Sequence, residues 1–249
     1  MTTTPPPHTV SPLLVPLGRG AGGDGQSVLL PAAGGGIGPY YALAGALTRW
    51  GPVHAVRAQG LMPGERPDHD VPAMVERCLD AIASLPRPPR HLIGWSLGGV
   101  LAWEVAARLA RRGTAPAAVV LIDSYAELAE REGLGRAESL ERIGRSMGFE
   151  PTGDEGARLR DVAAAHLDAA HGHTASDGFD GPVLLVSCTQ GRGPDQVAQW
   201  TRRAPRLRVR ELGCDHFEAL DADRLPALRH HIDGFLADLP GDPSATPQS

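Results

Sequence analysis

Gly94-Trp95-Ser96-Leu97-Gly98-Gly99 stands between the apolar run His91-Leu92-Ile93 and the helix-like run Val100-Leu101-Ala102-Trp103-Glu104-Val105-Ala106-Ala107, and its reading decides the fold. The segment fits G-x-S-x-G, a sharp strand-to-helix turn that leaves a serine hydroxyl exposed at the end of a strand. Glycine at 94 and 98 is the physical content of the match, because such a turn brings neighbouring backbone close and leaves no room for larger side chains. Ser96 then sits where a helix begins. Backbone N–H groups and the positive end of the helix dipole face any oxyanion formed beside it. The plainer reading, in a chain with 31 glycines, is a tight helix start with Ser96 as its N-cap. The order strand, turn, helix favours a nucleophile.

Outward from this turn, strand-like and helix-like runs alternate. Leu13 to Leu17 reads as a strand, Gly18 to Gly25 as a loop, and Ser27 to Leu30 as a strand leading into Pro31-Ala32-Ala33-Gly34-Gly35-Gly36. A helix is expected from about Tyr40 to Arg49 and a short strand at Val53 to Arg57. Val71 to Leu85 is apolar at 71, 74, 75, 78, 79 and 82, a helical period. Beyond the turn, Ala117 to Ile122 and Pro182 to Ser187 are uninterrupted apolar runs suited to central parallel strands, while Leu207 to Leu212 alternates like a strand nearer an edge. The fold class is therefore α/β, a mostly parallel central sheet with helices on both faces. Residues from about 126 to 180 break the rhythm, with helix-like pieces and no convincing strand over a stretch too long for a connecting loop. An insertion after a central parallel strand lies at the carboxyl edge of the sheet, above the place where ligands bind, so a helical lid is expected there. A solvated helical excursion without a role is the bland alternative.

Composition narrows the function classes. The chain has 249 residues, 42% of them hydrophobic, enough for a single α/β domain with a sizeable core. That domain is expected over 11–240, between a Pro- and Thr-rich lead (1–10) and a flexible tail (241–249). With 24 basic and 29 acidic residues the net charge is −5, and the arginines are scattered, so nucleic acid is not an expected partner. No apolar stretch approaches the ~20 residues of a membrane span, and Met1-Thr-Thr-Thr-Pro-Pro-Pro has none of the regions of a signal peptide; a cytoplasmic protein is expected. Cys78, Cys188 and Cys214 form no metal-ligand spacing and suit a reducing compartment. Lysine and asparagine are absent, which points to a GC-rich genome and removes every lysine-based mechanism.

A serine hydroxyl is a poor nucleophile near neutral pH and needs an imidazole to take its proton and a carboxylate to orient that imidazole. His216, in Gly213-Cys214-Asp215-His216-Phe217, follows the last strand and precedes the terminal helix, which gives the chain order serine, acid, histidine. His166, His171 and His173 match no common metal spacing and read as solvated lid residues. Asp123 ends the strand Ala117 to Ile122 and should emerge at the same sheet edge as Ser96. Its rival, Asp195, follows the loose Gly191-Arg-Gly-Pro194 stretch. Asp215 is too close to His216 in sequence to reach its ring in the orienting geometry. Two N–H donors are needed for the oxyanion. Leu97 supplies one, and Ala33, in the small-residue loop, is the choice for the other.

These residues resemble the thioesterase domains that end non-ribosomal peptide and polyketide assembly lines, members of the α/β-hydrolase superfamily. The resemblance runs from Ser11 to about Leu239 and is carried by Ser11 to Gly18, Pro31 to Gly35, Gln59-Gly60-Leu61 with Gly64-Glu65, Gly94 to Gly99, Leu121 to Tyr125 and Asp215-His216-Phe217. Pro31 and Ala32 stand where the family's loop has histidine and proline. The resemblance implies an acid at Asp123, 27 residues past Ser96, as in the type I chain-terminating members. Proofreading type II members carry it one strand later. Met1 and the tail fit a separate polypeptide or an excised domain, whereas type I members are normally fused behind a carrier domain. The resemblance further implies release of an acyl or peptidyl chain from the phosphopantetheine thioester of a carrier protein, through an acyl-Ser96 intermediate, by hydrolysis or macrocyclisation, with no cofactor of the enzyme's own. A type II thioesterase, a small carboxylesterase or lipase, and a catalytically silent carrier-binding module remain the alternatives.

Overall fold

The computed structural model describes residues 10–20, 25–128, 135–147, 153–191 and 195–240. Apart from Val10, the expected lead and tail lie outside them.

Seven strands form the central sheet: β1 (Leu14–Gly18), β2 (Ser27–Leu30), β3 (Val53–Val56), β4 (His91–Trp95), β5 (Ala118–Ile122), β8 (Val183–Cys188) and β9 (Leu207–Leu212). Their spatial order is β1-β3-β2-β4-β5-β8-β9, with only β1 antiparallel. Strands in the middle of such a sheet are covered on both faces, and this is why β4, β5 and β8 are buried end to end. Their side chains alternate between two cores: Leu92, Val119, Leu121 and Leu185 face one, Ile93, Val120, Ile122 and Val186 the other. The first core is closed by α2 (Val71–Ala83) and α3 (Leu97–Arg111), the second by α1 (Tyr41–Leu47) and α7 (Leu225–Ala237). Each such aliphatic side chain contributes roughly 1.5–3 kcal/mol by leaving water.

The insertion contains α4 (Arg136–Ser146) and α5 (Gly153–Ala170). The expectation of no strand there is corrected: β6 (Glu127–Leu128) pairs antiparallel with β7 (His173–Thr174) and closes the base of the insertion. Two residues each are too short to show a period in sequence. The same base is fastened to α3, where the buried Glu104 carboxylate accepts from Ser176 N at 2.7 Å and Ser176 Oγ at 2.7 Å, and Trp103 Nε1 donates to Ser176 O. Burial would raise the Glu104 pKa, but these bonds and His173, 3.3 Å away, hold it below the usual carboxylate range. The chain returns through β8 to α6 (Gln196–Thr201), which packs at the end of that strand.

Register sets up the site. Trp95 pairs with Ile122, so the residues that follow, Ser96 and Asp123, leave adjacent strands side by side. Leu212 pairs with Cys188, and the loop after β9 returns along the same edge.

Candidate active site

Ser96 has φ 58° and ψ −125°, and Asp123 has φ 41°; among the described residues they are the two non-glycine residues with positive φ. Backbone strain of this kind persists only where the surroundings over-determine it. For Ser96 they do. Its N–H is held by Ile122 O at 2.9 Å, and α3 starts at the next residue, three residues before the apolar run that announced it. A Cβ on Gly94 would lie 2.0 Å from the Gly98 backbone, and one on Gly98 would lie 2.5 Å from Leu30 O, so both glycines are demanded by the close approach of backbone. Tyr40 adds a buried brace: its hydroxyl donates to Leu30 O at 2.8 Å and accepts from Trp95 N at 2.9 Å. Burial drives the Tyr40 pKa upward, so it stays a neutral phenol that can do both.

The three sequence-predicted partners meet. His216 Nε2 lies 3.0 Å from Ser96 Oγ, and His216 Nδ1 lies 2.7 Å from Asp123 Oδ2. With Asp123 ionised, Nδ1–H donates to the carboxylate and Nε2 is left to accept from the serine hydroxyl. The other carboxylate oxygen, Oδ1, accepts from Cys188 N at 3.0 Å and Gln196 Nε2 at 3.0 Å. Burial alone would raise the Asp123 pKa; the His216 bond and charge, with these two donors, bring it below the ordinary aspartate value. Trp95 steadies His216 from beneath, donating Nε1–H to His216 O at 3.1 Å with the two rings 5.3 Å apart.

The rivals fall elsewhere. Asp195 is exposed at the start of α6. Asp215 turns its carboxylate to Phe217 N, 2.7 Å away, and to the Arg142 guanidinium. Although partial burial raises its pKa, Arg142 and the backbone donors hold it low. Gln196, which sequence reasoning missed, is the residue beside the rival acid. Its amide is oriented by Ser187 Oγ, which donates to Gln196 Oε1 and leaves Nε2 aimed at Asp123. Its full burial, unusual for an amide, is visible only after α6 folds back.

Ala33 and Leu97 both border the cavity that holds Ser96 and His216, a space of about 400 Å³. Its apolar walls come from Ala32, Ala33 and Leu97 on the sheet side, and from Ile143, Met147 and Leu167 on the insertion. The Ala33-Gly34-Gly35 segment is pressed by the insertion: Gly35, at φ +73°, would put a Cβ 2.8 Å from Val162 of α5. His166 of α5 is also here and is a correction to the solvated reading. It is 1% exposed, and burial holds it down to about 4 even though the Ala33 and Ala32 carbonyls face its ring. His171 is exposed and His173 half-buried beside Glu104. Among the described residues no cluster of histidine, cysteine or carboxylate could hold a metal.

Residues 27–236 match the sequence model of the thioesterase-domain family. Polyketide synthase GfsE of Streptomyces halstedii is 37% identical over 118 residues, 46% of this chain and 3% of that protein. Polyketide synthase PksR of Bacillus subtilis (strain 168) is 32% identical over 136 residues, 53% of this chain and 5% of that protein. The chain thus spans only a small part of the curated relatives it matches. Among solved structures, the Vlm2 thioesterase domain, bound with a dodecadepsipeptide, superposes with a TM-score of 0.73 at 22% identity, covering 89% of this chain and 97% of that one. The NocB thioesterase domain, in covalent complex with a fluorophosphonate nocardicin G analogue, gives 0.71 at 22% identity, covering 86% and 95%. These two share the fold, a mostly parallel sheet flanked by helices. The family match covers nearly the whole sheet and all three residues of the Ser96–His216–Asp123 chain, and the protein belongs to the thioesterase-domain family, hydrolases of the α/β-hydrolase fold.

Proposed function

We propose that the protein releases an acyl or peptidyl chain from the phosphopantetheine thioester of a carrier protein by way of an acyl-Ser96 intermediate. The observation that carries this reading is the unbroken relay from Ser96 Oγ through His216 to Asp123, at 3.0 and 2.7 Å. The hydroxyl proton passes to Nε2 as Oγ adds to the thioester carbonyl, and the carbonyl oxygen takes the negative charge. The N–H groups of Leu97 and Ala33 receive that oxyanion. Losing one such donor costs about 3–4 kcal/mol of barrier. Collapse breaks the C–S bond, the imidazolium returns its proton to sulfur, and the pantetheine thiol leaves. In the second half His216 deprotonates water, which gives a linear acid, or an amine or hydroxyl of the chain itself, which gives a ring; collapse breaks the acyl–Oγ bond and the imidazolium returns the proton to Ser96 Oγ. Asp123 stays ionised throughout and stabilises the imidazolium.

In this reading α4 and α5 act as the lid over the acyl chain and govern the access of water. The synthase relatives support a carrier protein as partner. Three free cysteines fit a reducing, cytoplasmic setting, and no described helix is long and apolar enough to cross a membrane. Intact-protein mass spectrometry tests the proposal. Incubation with acyl-pantetheine thioesters should add one acyl mass, mapped to Ser96 and absent in Ser96→Ala. Full thioester cleavage by Ser96→Ala, or a faster reaction with the matching oxygen ester, would sink it.

A further inference from the structure

We infer that Arg142 of α4 is a positioning residue for His216, so that the relay is held in register only while the insertion lies against the histidine loop; this rests on the acyl-transfer reading of Ser96. Arg142 grips the residues on both sides of the histidine. Its Nη2 pairs with Asp215 Oδ2, and its guanidinium carbon lies 4.5 Å from the centre of the Phe217 ring. Both charged side chains are largely withdrawn from water, at 27% and 29% exposure, where a planar guanidinium that pairs and stacks at once is held more firmly than an exposed ion pair.

The grip is applied to a turn that is already closed. Asp215 Oδ1 accepts from Phe217 N at 2.7 Å, and Asp215 N donates to Glu218 Oε2 at 3.1 Å, a capping box that fixes the turn over 215–218 internally. Arg142 takes the oxygen which that box leaves over. What the box does not fix is where the turn sits relative to Ser96. Phe217 shares that task with the Trp95 Nε1–His216 O bond, since its ring stands edge-on to His216 at 5.0 Å and to Trp95 at 6.2 Å. Arg142 presses on the far partner of this stack.

Substrate contact is the competing explanation for such a residue, and the cavity argues against it. Ser139, Ile143 and Ser146 of the same helix line the cavity, and Arg142 does not. Its side chain reaches the catalytic loop without reaching the space where the acyl chain would lie. A small displacement of a reacting group can cost on the order of a hundredfold in rate, so a residue with no substrate contact can still control turnover.

The test measures steady-state kinetics with an acyl-pantetheine thioester together with amide hydrogen exchange. Arg142→Ala should lower kcat at least tenfold, leaving KM and Tm unchanged. Asp215→Asn keeps an acceptor for the cap but loses the charge; it should lower kcat less, and adding it to Arg142→Ala should cost nothing more. Arg145→Ala, about one turn along α4 from Arg142 and in an exposed pair with Glu141, should behave as the unmodified enzyme. Exchange at Phe217 and Glu218 should quicken in Arg142→Ala with no substrate present, so the inference can be judged even if the unmodified enzyme cleaves no thioester and the acyl-transfer reading falls. Unchanged exchange at these amides, an unchanged kcat, or a raised KM at constant kcat would each overturn it.

Discussion

Helix α3 buries twelve of its fifteen residues and helix α4 one of its eleven, although both reach the cavity at Ser96. Helix α3 is sealed between the sheet and α2, and its holding force is the removal of apolar surface from water. Helix α4 sits on its surroundings through Ile143, through the Arg142 grip on Asp215, and through Arg136, paired with Asp168 of α5. The first kind of attachment is costly to undo, while the second gives way locally and early. The division matches the chemistry. Ser96 and Asp123 need fixed, strained backbone and follow strands of the sheet, whereas the surface that would admit and release an acyl chain in the proposed reaction is carried on polar helices.

Paired truncations give this comparison its hardest test. Leu121→Ala in β5 empties a site with no solvent exposure and should lower unfolding free energy by about 3–4 kcal/mol. Ile143→Ala, on the cavity wall, enlarges a space that already exists and should cost less, about 2 kcal/mol, while raising KM for long apolar acyl chains. Urea denaturation of both variants beside steady-state kinetics checks the pair. Equal stability losses would remove the distinction between scaffold and insertion.

Acid sharpens the same contrast, because each region holds a buried histidine that burial keeps neutral. His91 of β4, beside Ser27 Oγ, and His166 of α5 are both held near 4 by burial, against an ordinary value of 6.5. The unfolded chain therefore takes up these protons first. Each histidine's contribution to stability is complete above pH 6.5 and declines as the pH falls from 6.5 towards 4, by about 2 kcal/mol at pH 5. The driving force is alike in the two regions, but the insertion has less burial to oppose it. Hydrogen exchange at pH 5 should accelerate in α5 before it does in β4, and His166→Gln should flatten the pH dependence in α5 alone. Simultaneous loss of protection in both would show one cooperative unit.

The scaffold was the legible part of the sequence. Unbroken apolar runs marked β4, β5 and β8, and a catalytic candidate beyond the end of a strand is positioned by register, so Ser96, Asp123 and His216 could be named from their places in the chain. What stayed hidden depends on contacts between distant segments. Gln196 matters only because α6 folds back onto Asp123, and Arg142 only because α4 crosses to the histidine loop. His166 left a signal, since Val162, Ala163 and His166 share one helical face; the alanines at 164 and 165 and Leu167 beside them blur the contrast between faces. The crowding of Gly35 is of the same kind, since a Cβ there would meet Ala58 at 2.7 Å and Val162 of the insertion at 2.8 Å, two segments far from it in the chain.

Salt should produce the smallest effect and the one most specific to the insertion. Arg136 and Asp168 are about half exposed, at 52% and 60%, and ions screen such a pair strongly once the Debye length falls to a few ångströms. The sheet has no comparable dependence, since apolar burial is not weakened by sodium chloride. Raising sodium chloride from low concentration to about 1 M should therefore speed limited proteolysis within the insertion a few-fold and leave the melting temperature nearly unchanged. Arg136→Gln should give the same proteolysis rate at low salt and lose the salt response. If the response survives in that variant and also in Arg145→Ala, which removes the exposed pair with Glu141, the Arg142–Asp215 pair is carrying it, and the contrast between α3 and α4 then rests on the contact that also holds His216 in place.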